Sequence, residues 1–121
     1  MSRTILIVDD EPLTVEMLAT FLRIIGHEAY EALNAHQTWD QLAIHTPDAI
    51  LLDIMLPDAN GLDLCREIRE RPDFATLPIL VISAAAPPRT AEATAAGATG
   101  YLAKPVKLGD LKLKLESVGI K

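Results

Sequence analysis

Residues 49–53 read Ala-Ile-Leu-Leu-Asp, four apolar residues in succession followed by a carboxylate. An unbroken apolar run of this length is typical of a strand buried on both faces, and such strands occur in parallel sheets that helices cover on each side. Three other stretches have the same form, an apolar run that ends on a polar group. They are residues 5–8 before Asp9 and Asp10, residues 79–82 before Ser83, and residues 101–103 before Lys104.

Helical patterns separate these runs, and a weaker strand pattern lies at residues 28–33. The predicted helix ends carry residues suited to starting or stopping a helix. These are Pro12 and Gly26 for the first helix, Asn34 and Pro47 for the second, Asn60-Gly61 and Pro72 for the third, and Pro87-Pro88 and Gly97 for the fourth. Five βα units result, and because crossovers are right-handed, helices must cover both faces of the sheet. We predict one α/β domain over residues 1–121, a doubly wound, flavodoxin-like (βα)5 fold with a parallel five-stranded sheet in the order 2-1-3-4-5.

Composition narrows the classes of function. The chain has 121 residues, half of them hydrophobic, and a formal net charge of −6, which argues against a nucleic-acid-binding surface. No apolar run approaches the roughly 18 residues of a membrane span. A single cysteine excludes an internal disulfide and fits a reducing compartment. We therefore expect a cytoplasmic protein that binds neither nucleic acid nor membrane directly.

The histidines, the cysteine and the tryptophan are expected to have structural roles and not to form a functional site. The histidines His27, His36 and His45 lie nine residues apart without other metal-ligating neighbours, so we expect solvated surface and no metal site. Cys65 lies at helical spacing among apolar residues and is expected in the core, and Trp39 is expected to pack from its helix.

The acidic residues at the strand ends suggest a metal site. If strands 1 and 3 are neighbours, then Asp9, Asp10 and Asp53 share one edge of the sheet, where each pair of charges about 4 Å apart repels by roughly 4 kcal/mol. Either one acid stays protonated or a divalent cation lies among them. An oxygen-only, partly solvated cluster favours Mg²⁺. With Lys104 and the Ser83 hydroxyl nearby, the arrangement suits a phosphoryl group, for which a carboxylate can be the acceptor.

Each residue also has an ordinary structural explanation. Asp9 and Asp10 can stabilise the N-terminus of the first helix through its dipole. Asp53 can be a turn residue, Ser83 a helix cap and Lys104 a solvated charge. These separate explanations do not account for the fact that all four strand ends carry polar groups whose charges suit one common site. We therefore prefer the functional interpretation.

The chain resembles the receiver domain of two-component response regulators over essentially its whole length. Five motifs carry the resemblance, in order and at matching spacing. They are Ile-Leu-Ile-Val-Asp-Asp-Glu-Pro (5–12), Leu-Leu-Asp-Ile-Met-Leu-Pro-Asp (51–58), Asn-Gly-Leu-Asp-Leu (60–64), Pro-Ile-Leu-Val-Ile-Ser-Ala (78–84), and Ala-Gly-Ala with Tyr-Leu-Ala-Lys-Pro (96–98 and 101–105).

The resemblance implies a role for each site residue. Asp53 is similar to the aspartate that accepts a phosphoryl group from a sensor histidine kinase or a phosphotransfer protein. Asp9 and Asp10 resemble the pair that holds Mg²⁺, with Asp53 and the Met55 backbone carbonyl as further ligands. Lys104, whose bond to the following proline is usually cis in this family, would contact the phosphoryl oxygens.

The resemblance also implies a switch. Ser83 would bond a phosphoryl oxygen, and Tyr101 would turn inward as Ser83 moves. The surface formed by the fourth helix, fifth strand and fifth helix would change, and Leu113 is an exposed candidate anchor for an output partner or effector domain there. A homodimer through the same surface is an open alternative. Such a domain would catalyse only its own phosphorylation and dephosphorylation and would not be an enzyme with an independent substrate.

Two rival functions use the same residues. One is a Mg²⁺-dependent phosphohydrolase with an aspartate nucleophile, similar to haloacid-dehalogenase-like enzymes, although their Asp-x-Asp motif is missing after the first strand. The other is an interaction module on this fold that works without phosphorylation. We also expect a loosely held fourth helix, because it is rich in alanine and threonine, and slow self-dephosphorylation, because Met55 and Ala85 offer no polar group to orient water.

Overall fold

Strands and helices alternate along the chain. The computed structural model describes residues 3–121. Its strands are β1 (Thr4–Val8), β2 (Glu28–Ala32), β3 (Ala49–Asp53), β4 (Ile79–Ser83) and β5 (Gly100–Ala103). Its helices are α1 (Pro12–Ile24), α2 (Ala35–Ile44), α3 (Gly61–Glu70), α4 (Thr90–Ala95) and α5 (Leu108–Ser117), with a 3-10 turn at Pro72–Phe74. The predicted α/β elements are confirmed, and each predicted strand end lies within one residue of the observed one.

All five strands are parallel and lie in the order β2-β1-β3-β4-β5. This order confirms the prediction and makes β1 and β3 neighbours, with Val8 opposite Leu52. Because every strand runs in the same direction, the residues that follow the strands meet at one edge of the sheet.

Alternating side chains of the strands build a hydrophobic layer on each face of the sheet. Leu6, Ile50 and Val81 pack on one face with residues of α2, α3 and α4. Ile7, Leu51 and Ile82 pack on the other face with residues of α1 and α5. The strand β3 is buried at all five positions, as its apolar sequence predicts.

Local signals determine where the helices begin and end. Pro12 occupies the first turn of α1, and Gly26, with a φ of 96°, adopts the left-handed conformation that stops this helix. The Asn34 side chain accepts a hydrogen bond from the Gln37 N–H at 2.7 Å and caps α2. Asn60 caps α3 in a similar way, accepting from the Leu62 N–H at 2.8 Å.

The expectation that all three histidines are solvated is wrong for His27. This residue is 7% exposed and lies just before β2, where its Nδ1 accepts a hydrogen bond from the Arg3 N–H at 3.3 Å. The ring can be buried because its nitrogen keeps a partner. His45 is half-buried and stacks on Tyr30 with ring centroids 3.8 Å apart, whereas His36 is exposed.

Other packing predictions are confirmed. Cys65 is fully buried, and Trp39 is half-buried against the core with the Arg71 guanidinium 4.7 Å from its ring. Leu113 is exposed on α5. Within residues 3–121, no helix combines the length and the hydrophobicity that crossing a bilayer requires.

The helix α4 is short and has little apolar surface. It spans six residues, of which Ala93 alone is buried. Its C-terminal end is held from α3, where the Arg69 guanidinium donates from Nε to the Gly97 carbonyl at 2.9 Å and from another nitrogen to the Thr99 hydroxyl at 3.2 Å.

Candidate functional site

Three carboxylates converge where β1 and β3 end. Asp9 and Asp10 directly follow β1, and Asp53 is the last residue of β3. One oxygen from each of the three lies within 4.8 Å of the others. Asp9 and Asp53 are buried, while Asp10 faces solvent. The strand order thus brings together the acidic residues that the sequence separates by more than forty positions.

Lys104 contacts this cluster from the end of β5. Its Nζ lies 2.8 Å from Asp9 Oδ2, 3.2 Å from Asp53 Oδ2 and 3.1 Å from Glu11 Oε1. The side chains of Lys104, Asp9 and Asp53 are mostly buried, so little water screens the two pairs that they form, whereas Glu11 is exposed. Its peptide bond to Pro105 is cis, as the sequence resemblance implies, and the Ala86–Pro87 bond, which had no such expectation, is cis as well.

The electrostatics of the site favour a further positive charge. Burial raises the pKa of Asp53, and the Asp9 charge raises it further, although the Met55 N–H and Lys104 act in the opposite direction. Burial lowers the pKa of Lys104, but its contacts with Asp9 and Glu11 and the charge of Asp53 outweigh that effect, so its pKa lies above the ordinary value. The single positive charge of Lys104 therefore does not fully balance the negative charge of the buried carboxylates.

Backbone hydrogen bonds orient the two buried acids. Asp53 Oδ1 accepts from the Met55 N–H at 3.1 Å, and Asp9 Oδ1 accepts from the Glu11 N–H at 3.0 Å. In each residue the other oxygen, Oδ2, is the one that meets Lys104.

Gly61 lets α3 begin against the end of β3. A Cβ atom at this position would lie 2.3 Å from the Asp53 backbone oxygen and 2.4 Å from the Ile54 Cα. Only glycine fits such an approach without movement of the backbone that carries Asp53.

Ser83 and Tyr101 lie on β4 and β5, on the side of β3 away from β1. Ser83 ends β4, the strand next to β3, and is fully buried, and its hydroxyl oxygen accepts from the Ala85 N–H at 3.0 Å. Tyr101 is half-buried in β5, and its hydroxyl oxygen accepts from the Arg89 N–H, at the start of α4, at 3.1 Å. The two predicted switch residues therefore lie on adjacent strands.

The cluster opens into a cleft of about 420 Å³. Met55, Leu56, Pro57 and Ala84 form its apolar rim, and Met55 is 66% exposed. The site is thus open to solvent, and carboxylates and an ammonium group line the cleft together with this apolar rim.

The donor atoms of the cluster suit a small, hard cation. All of them are oxygens, two of the three acids are buried, and the third is open to solvent, where a metal could keep bound waters. These properties fit Mg²⁺ better than metals that prefer nitrogen or sulfur ligands.

Sequence reasoning gave no individual role to Glu11 or Asp58. Glu11 reaches Lys104 across 93 positions of sequence. Asp58 accepts hydrogen bonds from the backbone of residues 35 and 36. Such long-range contacts leave no local pattern in the sequence.

Known proteins resemble this chain in sequence. It is 34% identical to the phosphate regulon transcriptional regulatory protein PhoB of Pseudomonas aeruginosa over 119 residues, which is 98% of this chain and 52% of that protein. It is 37% identical to the response regulator MprA of Mycobacterium tuberculosis over 121 residues, 98% of this chain and 51% of MprA. The chain therefore spans about half the length of these relatives.

Solved structures resemble it in fold. The chemotaxis response regulator CheY4 of Vibrio cholerae has a TM-score of 0.91 at 26% identity, with 98% of this chain and 99% of that chain covered. The receiver domain of the sensor histidine kinase PA1611 from Pseudomonas aeruginosa, with a magnesium ion coordinated in its active site cleft, has a TM-score of 0.88 at 30% identity, with coverage of 98% and 99%. The family model of the response regulator receiver domain matches residues 5–116. The chain belongs to the response regulator receiver domain family.

Proposed function

We propose that this domain is a switch that is activated when Asp53 accepts a phosphoryl group from a histidine kinase or a phosphotransfer protein. One observation carries the proposal: a buried aspartate at the floor of an open cleft lies 3.2 Å from a lysine ammonium and within 4.8 Å of two further carboxylates. Such a site supplies a nucleophilic oxygen together with positive charge for the phosphoryl oxygens.

Asp9, Asp10, Asp53 and the Met55 backbone carbonyl are the proposed ligands of Mg²⁺. When bound, the ion would neutralise negative charge on the carboxylates and on the phosphoryl group. The magnesium reported in the PA1611 receiver domain supports this assignment, since the two chains share fold and 30% of their sequence.

The transfer requires little covalent chemistry from the protein. An Asp53 carboxylate oxygen forms a bond to phosphorus while the phosphorus–nitrogen bond of the donor phosphohistidine breaks and the imidazole leaves. Lys104, whose raised pKa keeps it protonated at neutral pH, pairs with the phosphoryl oxygens. Positioning and charge compensation account for most of the catalysis.

Ser83 and Tyr101 are the proposed switch residues. The Ser83 hydroxyl, whose oxygen accepts from the Ala85 N–H, would move toward the phosphoryl group and donate its hydrogen to a phosphoryl oxygen. Tyr101 would then turn inward and release the Arg89 N–H at the start of α4. The surface of α4, β5 and α5 would change, and exposed Leu113 is the proposed contact for an output partner, an effector domain or a second copy.

Mass spectrometry of the intact protein tests the function. The protein is incubated with Mg²⁺ and acetyl phosphate, and the wild type should gain the mass of one phosphoryl group. Asp53→Asn should gain none, whereas Asp63→Asn, which alters an exposed α3 carboxylate that pairs with Arg66, should behave as the wild type.

Other outcomes favour the rival functions. Unmodified wild type under these conditions would point to an interaction module that works without phosphorylation. Multiple turnovers of an added phosphomonoester would point to a phosphohydrolase. Omission of Mg²⁺ should abolish the mass gain, and a gain that persists in EDTA would contradict the roles of Asp9 and Asp10.

A further inference from the structure

The loop between β3 and α3, residues 54–60, folds back on itself beside the phosphoacceptor. The Gly61 N–H donates to the Ile54 carbonyl at 2.8 Å, and Met55 and Asn60 form an antiparallel bridge. These contacts close the base of the loop and leave Asp58 near its tip.

Asp58 joins the tip of this loop to the start of α2. One oxygen of its carboxylate accepts from the Ala35 N–H at 2.8 Å, and the other accepts from the His36 N–H at 3.1 Å. The first N–H groups of a helix have no partners within the helix, and a negative charge is favoured there. The hydrogen bond from Ala35 is the main reason that the pKa of Asp58 lies below its ordinary value.

The same loop carries atoms of the proposed phosphorylation site. The Met55 N–H donates to Asp53 Oδ1, and the Met55 carbonyl is a proposed metal ligand. The Met55 side chain is 66% exposed and contributes little to holding the loop in place. Leu56 and Ala59 pack against the core from within the loop, and the hydrogen bonds of Asp58 add a polar restraint near its tip.

We propose that Asp58 is a positioning residue. Its hydrogen bonds to the start of α2 hold the Met55 backbone in the geometry that magnesium binding and phosphorylation of Asp53 require. This inference rests on the proposed function of the site. It has a reciprocal consequence, because a ligand that orders the loop must also strengthen the contact with α2.

Asn34 provides a matched control. Its side chain caps the same helix, through the Gln37 N–H at 2.7 Å, but it belongs to the helix side of the contact and not to the loop. Asn34→Ala and Asp58→Ala should both destabilise α2. Only Asp58→Ala should weaken magnesium binding, by about 10-fold, as is typical when a group that orients a metal ligand is lost.

Two measurements test the proposal. Calorimetric titration gives the magnesium affinity of the wild type, Asp58→Ala, Asp58→Asn and Asn34→Ala. Asp58→Asn keeps one acceptor oxygen, so it should fold and give an intermediate affinity even if Asp58→Ala does not fold. Amide hydrogen exchange in the wild type should slow at Ala35 and His36 when Mg²⁺ is added.

The outcomes separate this inference from the proposed function. A wild type that binds no magnesium would overturn the function itself. A wild type that binds magnesium, with Asp58 variants that bind it as the Asn34 variant does, would show that Asp58 only caps a helix. Unchanged exchange at Ala35 and His36 would contradict the reciprocal effect.

Discussion

At the scale of single residues, Asp53 is held in an environment that opposes its charge. Burial raises its pKa, so the folded state holds the proton of this group more tightly than the unfolded chain does. A raised carboxyl pKa costs stability at pH values above it, and the cost disappears as the pH falls through the folded pKa toward the unfolded one.

Asp53→Asn should therefore stabilise the protein in the absence of divalent metal. We expect a gain on the order of 1 kcal/mol, or roughly 4 °C in Tm for a domain of this size, at pH 7. The gain should shrink as the pH is lowered toward 4. Thermal unfolding followed by circular dichroism in EDTA measures it, and a variant less stable than the wild type at pH 7 would contradict the electrostatic account.

Met55 and Ala85 bear on the lifetime of the proposed aspartyl phosphate. Met55 lies on the rim of the cleft, and the Ala85 N–H is bonded to the Ser83 hydroxyl. Neither side chain can orient a water molecule for attack on phosphorus. We expect a lifetime of minutes or more, and we expect Met55→Asn to shorten it. Decay within seconds in the wild type, measured by loss of the phosphoryl mass after the donor is removed, would contradict this prediction.

At the scale of secondary-structure elements, α3 and α4 differ in how they are held. The helix α3 has ten residues and buries Leu62, Leu64, Cys65 and Ile68, whereas α4 has six and buries Ala93. Local opening is easiest where few apolar side chains are buried. Amides of α4 should exchange at least about 10-fold faster than those of α3, as measured by hydrogen exchange and NMR. Equal protection would show that the bond from Arg69 to Gly97 suffices to hold α4.

At the scale of the whole molecule, the sheet joins two hydrophobic layers into one cooperative unit. The chromophore Trp39 reports on one layer, while the sheet and all helices contribute to the far-ultraviolet circular dichroism signal. Both signals should give the same unfolding transition. Added Mg²⁺ should shift both together, by about 2.7 kcal/mol at 100 times its dissociation constant. Two separate transitions would show that the layers unfold independently.

The sequence predicted the fold well because its main signals are local. Continuous apolar runs such as residues 49–52 identify buried strands, and residues such as Asn34 and Gly26 mark helix ends. Parallel strands and right-handed crossovers do not determine the strand order by themselves. The flavodoxin-like order is preferred at the sequence level because it brings Asp9, Asp10 and Asp53 together, and the structure confirms that order.

Contacts between distant parts of the chain could not be predicted in this way. His27 can be buried because the Arg3 N–H, 24 residues earlier, donates to its ring nitrogen. The partners of Asp58 lie 22 and 23 residues away, and Arg69 reaches a carbonyl 28 residues later. Each of these residues is of a polar type that usually lies on the protein surface. Its contacts depend on geometry that only the folded chain provides.

The complete burial of Cys65 makes the molecule suitable for labelling with reporter dyes. It is the single cysteine of the chain, and burial raises the pKa of its thiol, so little of the reactive thiolate is accessible in the native state. Maleimide reagents should leave the native protein unmodified and react only after denaturation. A cysteine introduced on the surface of α4 or α5 would then carry a fluorophore at one known position, and its signal would report whether that surface moves under the proposed phosphorylation.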